Sequence, residues 1–158
     1  MPIAKLKNFL DDQHVQYISI IHSRAHTAQE TAEVAHIPGR QLAKTVMVKL
    51  DGKMAMVVLP ASEQIDLDLL QGCAGVNSAE LADEKEFSAL FPQCEIGAMP
   101  PFGNLYGMMV YVEEDLTTAG TIAFNAGSHL ELIQLSYNDF ERLVKPRIVR
   151  IASTYTAA

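Results

Sequence analysis

The chain has 158 residues, of which 49% are hydrophobic and 20% charged, a composition typical of one compact, water-soluble domain spanning residues 1–158. No segment approaches the ~18–20 apolar residues that cross a bilayer, so no membrane partner is expected. The net charge of −7 argues against a protein that grips long DNA or RNA, because such proteins present a basic surface to the phosphates.

The first forty residues predict two helices separated by a strand. The N-terminus lacks the apolar run and cleavage site of a secretion signal, which predicts a cytoplasmic protein. Apolar residues recur at helical spacing over residues 3–13, and the β-branched and aromatic run at 16–21 is typical of a strand. Thr27 and Glu30 have the spacing of a capping box, which predicts a second helix running to about His36.

The middle of the chain contains the clearest strand pair. Residues 42–50 and 53–59 are apolar and β-prone, and Asp51-Gly52 between them can supply the positive φ angles of a tight hairpin turn. The elements expected after this hairpin are a helix at 65–72 closed by Gly72, a strand at 76–81, and a helix from a capping box at 83–86 to Phe91.

The second half alternates turn-rich segments with strands. Residues 93–107 contain three glycines and two prolines and predict a structured loop rather than a helix or strand. The remaining elements are strands at 108–113, 120–124 and 130–135, a helix capped by Ser136 that ends before Pro146, and a basic tail at 145–150. This order predicts an α/β fold of the α+β type, in which helices flank a mixed β-sheet.

Lys44 is the first residue that could carry chemistry. It opens the strand of the hairpin, and alternation places it on the same face as Val46 and Val48, which are good core residues. A lysine at the mouth of an apolar face is costly unless its ammonium meets an anion or a polarised carbonyl. The ordinary alternative is a strand-end lysine that extends into solvent.

Two turn-rich segments are further candidates. In the loop from Gly97 to Gly103, prolines fix the backbone and glycines allow close approach, so it can present backbone groups to a ligand or simply turn the chain. The segment from Asn125 to His129 offers an amide, a hydroxyl and an imidazole that can orient a substrate or act as a base. A plain β-turn with a half-exposed histidine is the competing interpretation.

The familiar cofactor and nucleophile motifs are absent from the sequence. It contains no GxxxxGK[ST], no GxGxxG after a strand, no GxSxG and no HExxH, so neither a cofactor nor a metal site is expected. Cys73 and Cys94 lie outside any CxxC pattern and are expected to be reduced, although a base partner in space is not excluded. A binding module, or an enzyme whose substrate supplies the attacking group, fits this lack of a nucleophile.

Three motifs in this order resemble the YbaK/EbsC family, relatives of the editing domain inserted into bacterial prolyl-tRNA synthetases. They are Ala43-Lys44-Thr45, the GxxxP loop at Gly97-Ala-Met-Pro-Pro101, and Phe124-Asn-Ala-Gly127. The resemblance covers nearly the whole chain. It implies a mixed, strongly curved sheet flanked by helices, and hydrolysis of the ester that joins a wrong amino acid to the 3′ end of tRNA.

The resemblance also implies roles for individual residues. Lys44 would contact the terminal phosphate or the substrate backbone, Gly97 would act with it in catalysis, and Thr45 would influence which amino acid is accepted. No protein nucleophile is implied, since a ribose hydroxyl or a water that it orients would attack. The substrate-binding residues expected besides Thr45 are Ala98, Met99, Pro100, Pro101, Asn125, Gly127, Ser128 and His129.

The expected partner is the 3′ acceptor end of tRNA. Because the chain carries a negative net charge, its own affinity for tRNA is expected to be limited, and an aminoacyl-tRNA synthetase could supply the rest. The alternative function is a non-catalytic module that binds the aminoacyl-tRNA 3′ end or a nucleotide-like ligand.

Overall fold

The computed structural model describes residues 4–25, 27–95 and 97–154. Ten strands and five α-helices alternate along this part of the chain. The helices are Ala4–Asp12 (α1), Ala28–Val34 (α2), Leu67–Ala74 (α3), Glu84–Phe87 (α4) and Tyr137–Val144 (α5). The strands are Tyr17–Ile21 (β1), Ala43–Leu50 (β2), Lys53–Pro60 (β3), Glu63–Ile65 (β4), Ala79–Leu81 (β5), Met109–Glu113 (β6), Thr121–Asn125 (β7), Glu131–Ser136 (β8), Arg147–Val149 (β9) and Ala152–Thr154 (β10).

The strands form a central mixed sheet and two smaller antiparallel ones. The central sheet has the order β5-β2-β3-β6-β9, with β2 antiparallel to its neighbours and β3, β6 and β9 parallel. The second sheet has the order β1-β8-β7, and β4 pairs with β10. A parallel bridge between Leu42 and Ala123 links the first two sheets where β2 begins. The predicted mixed sheet flanked by helices is therefore confirmed.

The predicted hairpin is confirmed at its turn. Asp51 and Gly52 both have positive φ, 50° and 84°, as the predicted tight turn requires. The Asp51 carboxylate also accepts hydrogen bonds from the backbone N–H groups of Asn77 and Ser78, at 3.1 and 2.9 Å. The turn thus anchors the segment that leads into β5.

The predicted helix starts are confirmed by their caps. Thr27 accepts a hydrogen bond from the Glu30 backbone N–H, and Ser136 accepts one from the Asp139 backbone N–H. Asp83 and Glu86 form a complete capping box, although the helix narrows to a 3-10 turn at Ser88–Leu90.

Several predicted boundaries were wrong. The helix expected at 65–72 spans Leu67–Ala74. It begins later because the preceding residues pair with β10, and it is closed by Gly75, with φ 69°, rather than by Gly72. The loop at 93–107 contains a 3-10 turn at Gly103–Tyr106, and part of the basic tail forms β9, which pairs with the distant β6.

Both faces of the central hairpin are buried. Met47, Met56 and Val58 face one hydrophobic cluster, which also contains Phe102 and Phe124. On the opposite face, the buried residues of the second cluster include Val48, Val57, Leu59, Leu70 and Ile151. This double burial explains why the two strands are continuous apolar runs rather than alternating ones. No described helix has the length and apolar character needed to cross a membrane.

The close packing at Gly103 gives a first testable prediction. A Cβ there would lie 2.6 Å from Val110 Cγ2 and 3.0 Å from the Met108 carbonyl oxygen. We expect Gly103→Ala to lower the free energy of unfolding by about 1–3 kcal/mol, measured by urea denaturation. Gly72→Ala is the control, because no atom of the described residues lies within 4 Å of its added Cβ, and alanine in a helix should raise stability by about 0.5–1 kcal/mol. If both substitutions changed the free energy of unfolding equally, the close packing at Gly103 would not be the cause of the loss.

Candidate functional site

Lys44 lies on an interior row of the central sheet. It is the second residue of β2, is half-buried, and pairs directly with Leu59 of β3. The parallel register of β3 and β6 continues this row to Glu113. Side chains in one row share a face, so Lys44 and Glu113 lie on the same side of the sheet. The predicted grouping of Lys44 with Val46 and Val48 corresponds to this face.

Asn125 lies near the junction of the two sheets. The parallel bridge between Leu42 and Ala123 joins the sheets, and Lys44 and Asn125 each follow this bridge by two residues along their own strands. Asn125 ends β7, and its buried Oδ1 has no hydrogen-bond partner among the described residues. Because a buried acceptor without a partner is costly, this oxygen is suited to receive a donor from a ligand.

The GxxxP loop is held against the turn that follows Asn125. The Gly127 backbone N–H donates to the Ala98 carbonyl oxygen at 3.0 Å, and the Glu95 N–H donates to the Gly127 carbonyl oxygen at 2.8 Å. The loop is therefore held at the end of β7, close to the bridge that joins the two sheets two residues before Lys44.

Glu95 fastens the loop to two further segments. Its carboxylate pairs with Arg24 at 2.8 Å and accepts a hydrogen bond from the His129 backbone N–H at 3.4 Å. The hydrogen bond from Arg24 is the main cause that holds the pKa of Glu95 below its ordinary value. The position of the GxxxP loop thus depends on Glu95, which belongs to none of the motifs recognised in the sequence.

A hollow of about 270 Å³ lies on the other face of β2. Thr45 and Met47 form one wall, and Gly97, Met99 and Phe87 are among the residues opposite. The alternation of β2 thus gives Thr45 to this hollow and Lys44 to the opposite face. Thr45 and Lys44 are consecutive residues of β2 and therefore face opposite sides of the sheet.

His129 is 7% exposed and lies next to Gly97. A Cβ on Gly97 would be 3.5 Å from His129 Cε1, and the φ of Gly97 is +84°. The absence of a side chain at Gly97 therefore leaves its backbone beside the imidazole.

The other predicted residues fill out this region with different exposures. Ala98, Met99, Pro100 and Pro101 are buried, and Pro100 accepts a hydrogen bond from the Phe102 N–H at 2.8 Å. Ser128 Oγ accepts a hydrogen bond from the Leu130 N–H at 3.2 Å, which makes it a turn-forming residue here.

A carboxylate cluster lies close to Lys44 and was not predicted. Glu63 and Glu113 are 7% and 1% exposed, and oxygens of Glu63, Glu113 and Asp115 lie within 4.8 Å of one another. Burial, a hydrogen bond with Asp115 and the nearby negative charges raise the pKa of Glu63 to about 7, while the charge of Lys44 opposes the rise. Sequence patterns gave no signal for this cluster, because its members come from β4, β6 and the turn after β6.

The raised pKa of Glu63 predicts a pH dependence of stability. The folded chain binds the Glu63 proton more tightly than the unfolded chain, so the free energy of unfolding should fall as the pH rises from about 4.5 to about 7, and level off above. Glu63→Gln stays neutral and should lose this contribution. Denaturation of both proteins across this range checks it, and parallel pH profiles would contradict the raised pKa.

A larger groove, of about 500 Å³, lies elsewhere on the surface. It is lined mainly by apolar residues, among them Leu50, Met54, Val76, Met108 and Tyr111, and by none of the predicted site residues. Volume alone would favour this groove. The Oδ1 of Asn125, which has no partner among the described residues, and the hydrogen-bonded GxxxP loop make the end of β7 the better candidate.

Comparison with known proteins identifies a family. The sequence profile of the aminoacyl-tRNA editing domain matches residues 22–143, which include every predicted site residue. The chain is 26% identical over 143 residues to the prolyl-tRNA editing protein ProX of Acetoanaerobium sticklandii, covering 86% of each chain.

Solved structures share the fold. A protein described only as hypothetical superposes with a TM-score of 0.84 at 17% identity, covering 94% of this chain and 99% of its own. A candidate trans-editing enzyme for prolyl-tRNA synthetase superposes with a TM-score of 0.80 at 18% identity, covering 94% of this chain and 95% of its own.

Proposed function

The chain belongs to the aminoacyl-tRNA editing domain family, and we propose that it is a trans-editing hydrolase that removes a wrongly attached amino acid from the 3′ end of tRNA. The observation that carries the proposal is that the GxxxP loop is hydrogen-bonded to the turn after β7, where Asn125, like Lys44 on β2, follows the bridge between the sheets by two residues. A site of this kind offers a cation for a phosphate, a buried acceptor for an amine or hydroxyl, and backbone donors for a carbonyl.

Lys44 is the residue proposed to neutralise the phosphate or hold the aminoacyl group. Its place on an interior face keeps the ammonium partly desolvated, which strengthens its attraction for an anion. Because the chain carries a net charge of −7, this local cation has to act against an unfavourable overall field. A synthetase partner is accordingly proposed to contribute to the choice of tRNA.

The loop is proposed to stabilise the developing charge on the ester carbonyl. Pro100 and Pro101 have no N–H, and the N–H of Ala98 already donates to the Glu95 carbonyl oxygen at 3.0 Å. Gly97 and Met99 therefore provide the remaining backbone donors of the motif. One such donor typically contributes about 3–4 kcal/mol to transition-state stabilisation.

We propose that the substrate itself supplies or orients the nucleophile. The two cysteines offer a poor alternative, since burial is the main cause that raises the pKa of Cys94 and makes its thiolate scarce. Cys73 donates a weak hydrogen bond to the Arg150 carbonyl oxygen at 3.7 Å, and none of the predicted site residues takes part in this contact. A ribose hydroxyl next to the ester, or a water bound to it, needs no protein nucleophile.

The hollow beside Thr45 is proposed to select the amino acid side chain by size. Apolar walls discriminate by only about 1–3 kcal/mol per methylene, so several small amino acids should be accepted. With a volume of about 270 Å³ the hollow has room for such side chains.

A deacylation panel tests the proposed function. The purified chain is incubated with tRNAs, including tRNA for proline, that carry alanine, serine, cysteine, threonine or the correct amino acid. Release of the amino acid is followed against a no-protein blank. We expect release of at least one small, wrong amino acid and none of the correct one. Binding without release would instead identify a non-catalytic module, and loss of activity with a chelator would indicate a metal-dependent hydrolase.

A further inference from the structure

The acidic groups near Lys44 have no part in the hydrolysis as proposed. Glu113 accepts hydrogen bonds from the backbone N–H groups of Ile151, Ala152 and Asp115, at 2.8, 3.0 and 2.7 Å. These three donors fix Glu113 as an acceptor at the base of the cluster. Nothing in this arrangement requires Glu63, which adds a second carboxyl group to a buried region.

Glu63 is 7% exposed, and one of its carboxyl oxygens lies within 4.8 Å of oxygens of Asp115 and of Glu113, which shares a row of the central sheet with Lys44. Ala61, two residues before it, donates its backbone N–H to the Leu42 carbonyl oxygen at 2.8 Å, which ties the start of β4 to the start of β2. The Glu63 side chain is hydrogen-bonded to Asp115 and interacts electrostatically with Lys44. Two carboxyl groups can form a hydrogen bond with each other only when one of them carries a proton.

We propose that Glu63 is a positioning residue for Lys44, and that the proton shared by Glu63 and Asp115 decides whether the ammonium is available to the substrate. While the pair holds its proton, Lys44 faces a neutral carboxyl group and can bind the anionic part of the substrate. When the proton is lost, the new carboxylate attracts the ammonium and competes with that anion. This inference rests on the proposed function of Lys44.

Other charged groups around the pair set the background for this switch. Among the described residues, Glu113 faces it from β6, and Arg150 lies close enough to Asp115 and Glu113 to interact with both while pairing with Glu114 at 3.1 Å. The Glu113 charge favours retention of the proton on Glu63, whereas Lys44 opposes it. The pH at which the pair loses its proton thus depends on the balance of these charges, which single substitutions can shift.

Steady-state kinetics from pH 6 to pH 8 test the proposal, with spontaneous ester hydrolysis subtracted at each pH. We expect the KM of the wild type to rise about three- to tenfold with pH, as one added negative charge near Lys44 would cause, with little change in the corrected kcat. Glu63→Gln should keep a low, flat KM. Asp115→Asn should move the rise to lower pH, because it removes the hydrogen bond and the charge that retain the proton.

Glu80→Gln is the matched control, because Glu80 is an exposed acid that pairs with Lys49 at 3.5 Å, away from the site. It changes the net charge equally and should leave the wild-type pH profile unchanged. A KM rise that persists in Glu63→Gln, or a Glu63→Gln variant that alters only kcat, would overturn the positioning role.

A substrate-free measurement separates this inference from the proposed function. Lysines are converted to ¹³C-dimethyl-lysine, which keeps its charge, and the Lys44 signal is assigned by its absence in Lys44→Arg. We expect its chemical shift to change in a step near neutral pH in the wild type and not in Glu63→Gln. No step, or a step that a chelator abolishes, would overturn the inference even if deacylation is observed. A step without deacylation at any pH would reject only the proposed function.

Discussion

Lys44→Ala is expected to lower kcat/KM for deacylation by about 100- to 1,000-fold, as the loss of one electrostatic contact to the transition state or phosphate does. Lys44 is half-buried two residues after the bridge between the sheets, and no other described lysine or arginine occupies its row of the central sheet. Deacylation of a mischarged tRNA under single-turnover conditions measures the effect. The circular dichroism spectrum should be unchanged, because the substitution leaves both hydrophobic clusters intact.

Lys53→Ala is the matched control for this experiment. Lys53 also begins a strand of the central hairpin, but it is exposed and lies at the opposite end of β3 from Leu59, the partner of Lys44. Like Lys44→Ala, the Lys53→Ala substitution removes one positive charge from the surface that attracts tRNA. If both variants lose activity equally, the effect is one of overall charge, and a fully active Lys44→Ala protein would refute the role given to Lys44.

Gly97→Ala is expected to reduce deacylation by about 10- to 100-fold and the free energy of unfolding by about 1–2 kcal/mol. Alanine at a φ of +84° is strained, and relief of this strain would move the Gly97 amide away from the position proposed for the ester oxygen. The new methyl group would also contact His129, at 3.5 Å from Cε1. Activity assays and urea denaturation on the same preparation separate the two effects.

Gly75→Ala provides the control for backbone strain. Gly75 closes α3 with a φ of +69°, and within the described part of the chain nothing lies within 4 Å of an added Cβ. Its stability should fall by a similar amount, about 1 kcal/mol, with deacylation unchanged. A Gly97→Ala protein that loses stability but keeps full activity would show that the loop amide does not contribute to catalysis.

Local sequence chemistry predicted the elements that are completed by neighbouring residues. The Asp51-Gly52 hairpin and the caps at Thr27, Asp83 and Ser136 satisfy backbone groups within four residues, so a short window contains all the information. The two faces of β2 followed from strand alternation in the same way. The predicted roles of Lys44, Gly97 and the residues around Asn125 remain predictions that the proposed experiments test.

Elements completed by distant partners could not be predicted in this way. The helix expected from residue 65 begins only at Leu67, because β4 pairs with β10 just before it. The ion pair of Arg24 with Glu95 joins residues 71 positions apart, and no periodicity reports it.

The sequence by itself therefore determined the local elements and the residue types available for chemistry, because hydrogen bonds over a few residues depend only on neighbours. Only the tertiary structure decided that Glu63 and Asp115 lie near Lys44, and that Thr45 faces a different hollow. The physical reason is that desolvation and charge–charge interactions depend on distances through space, which the folded sheets set and the order of residues does not.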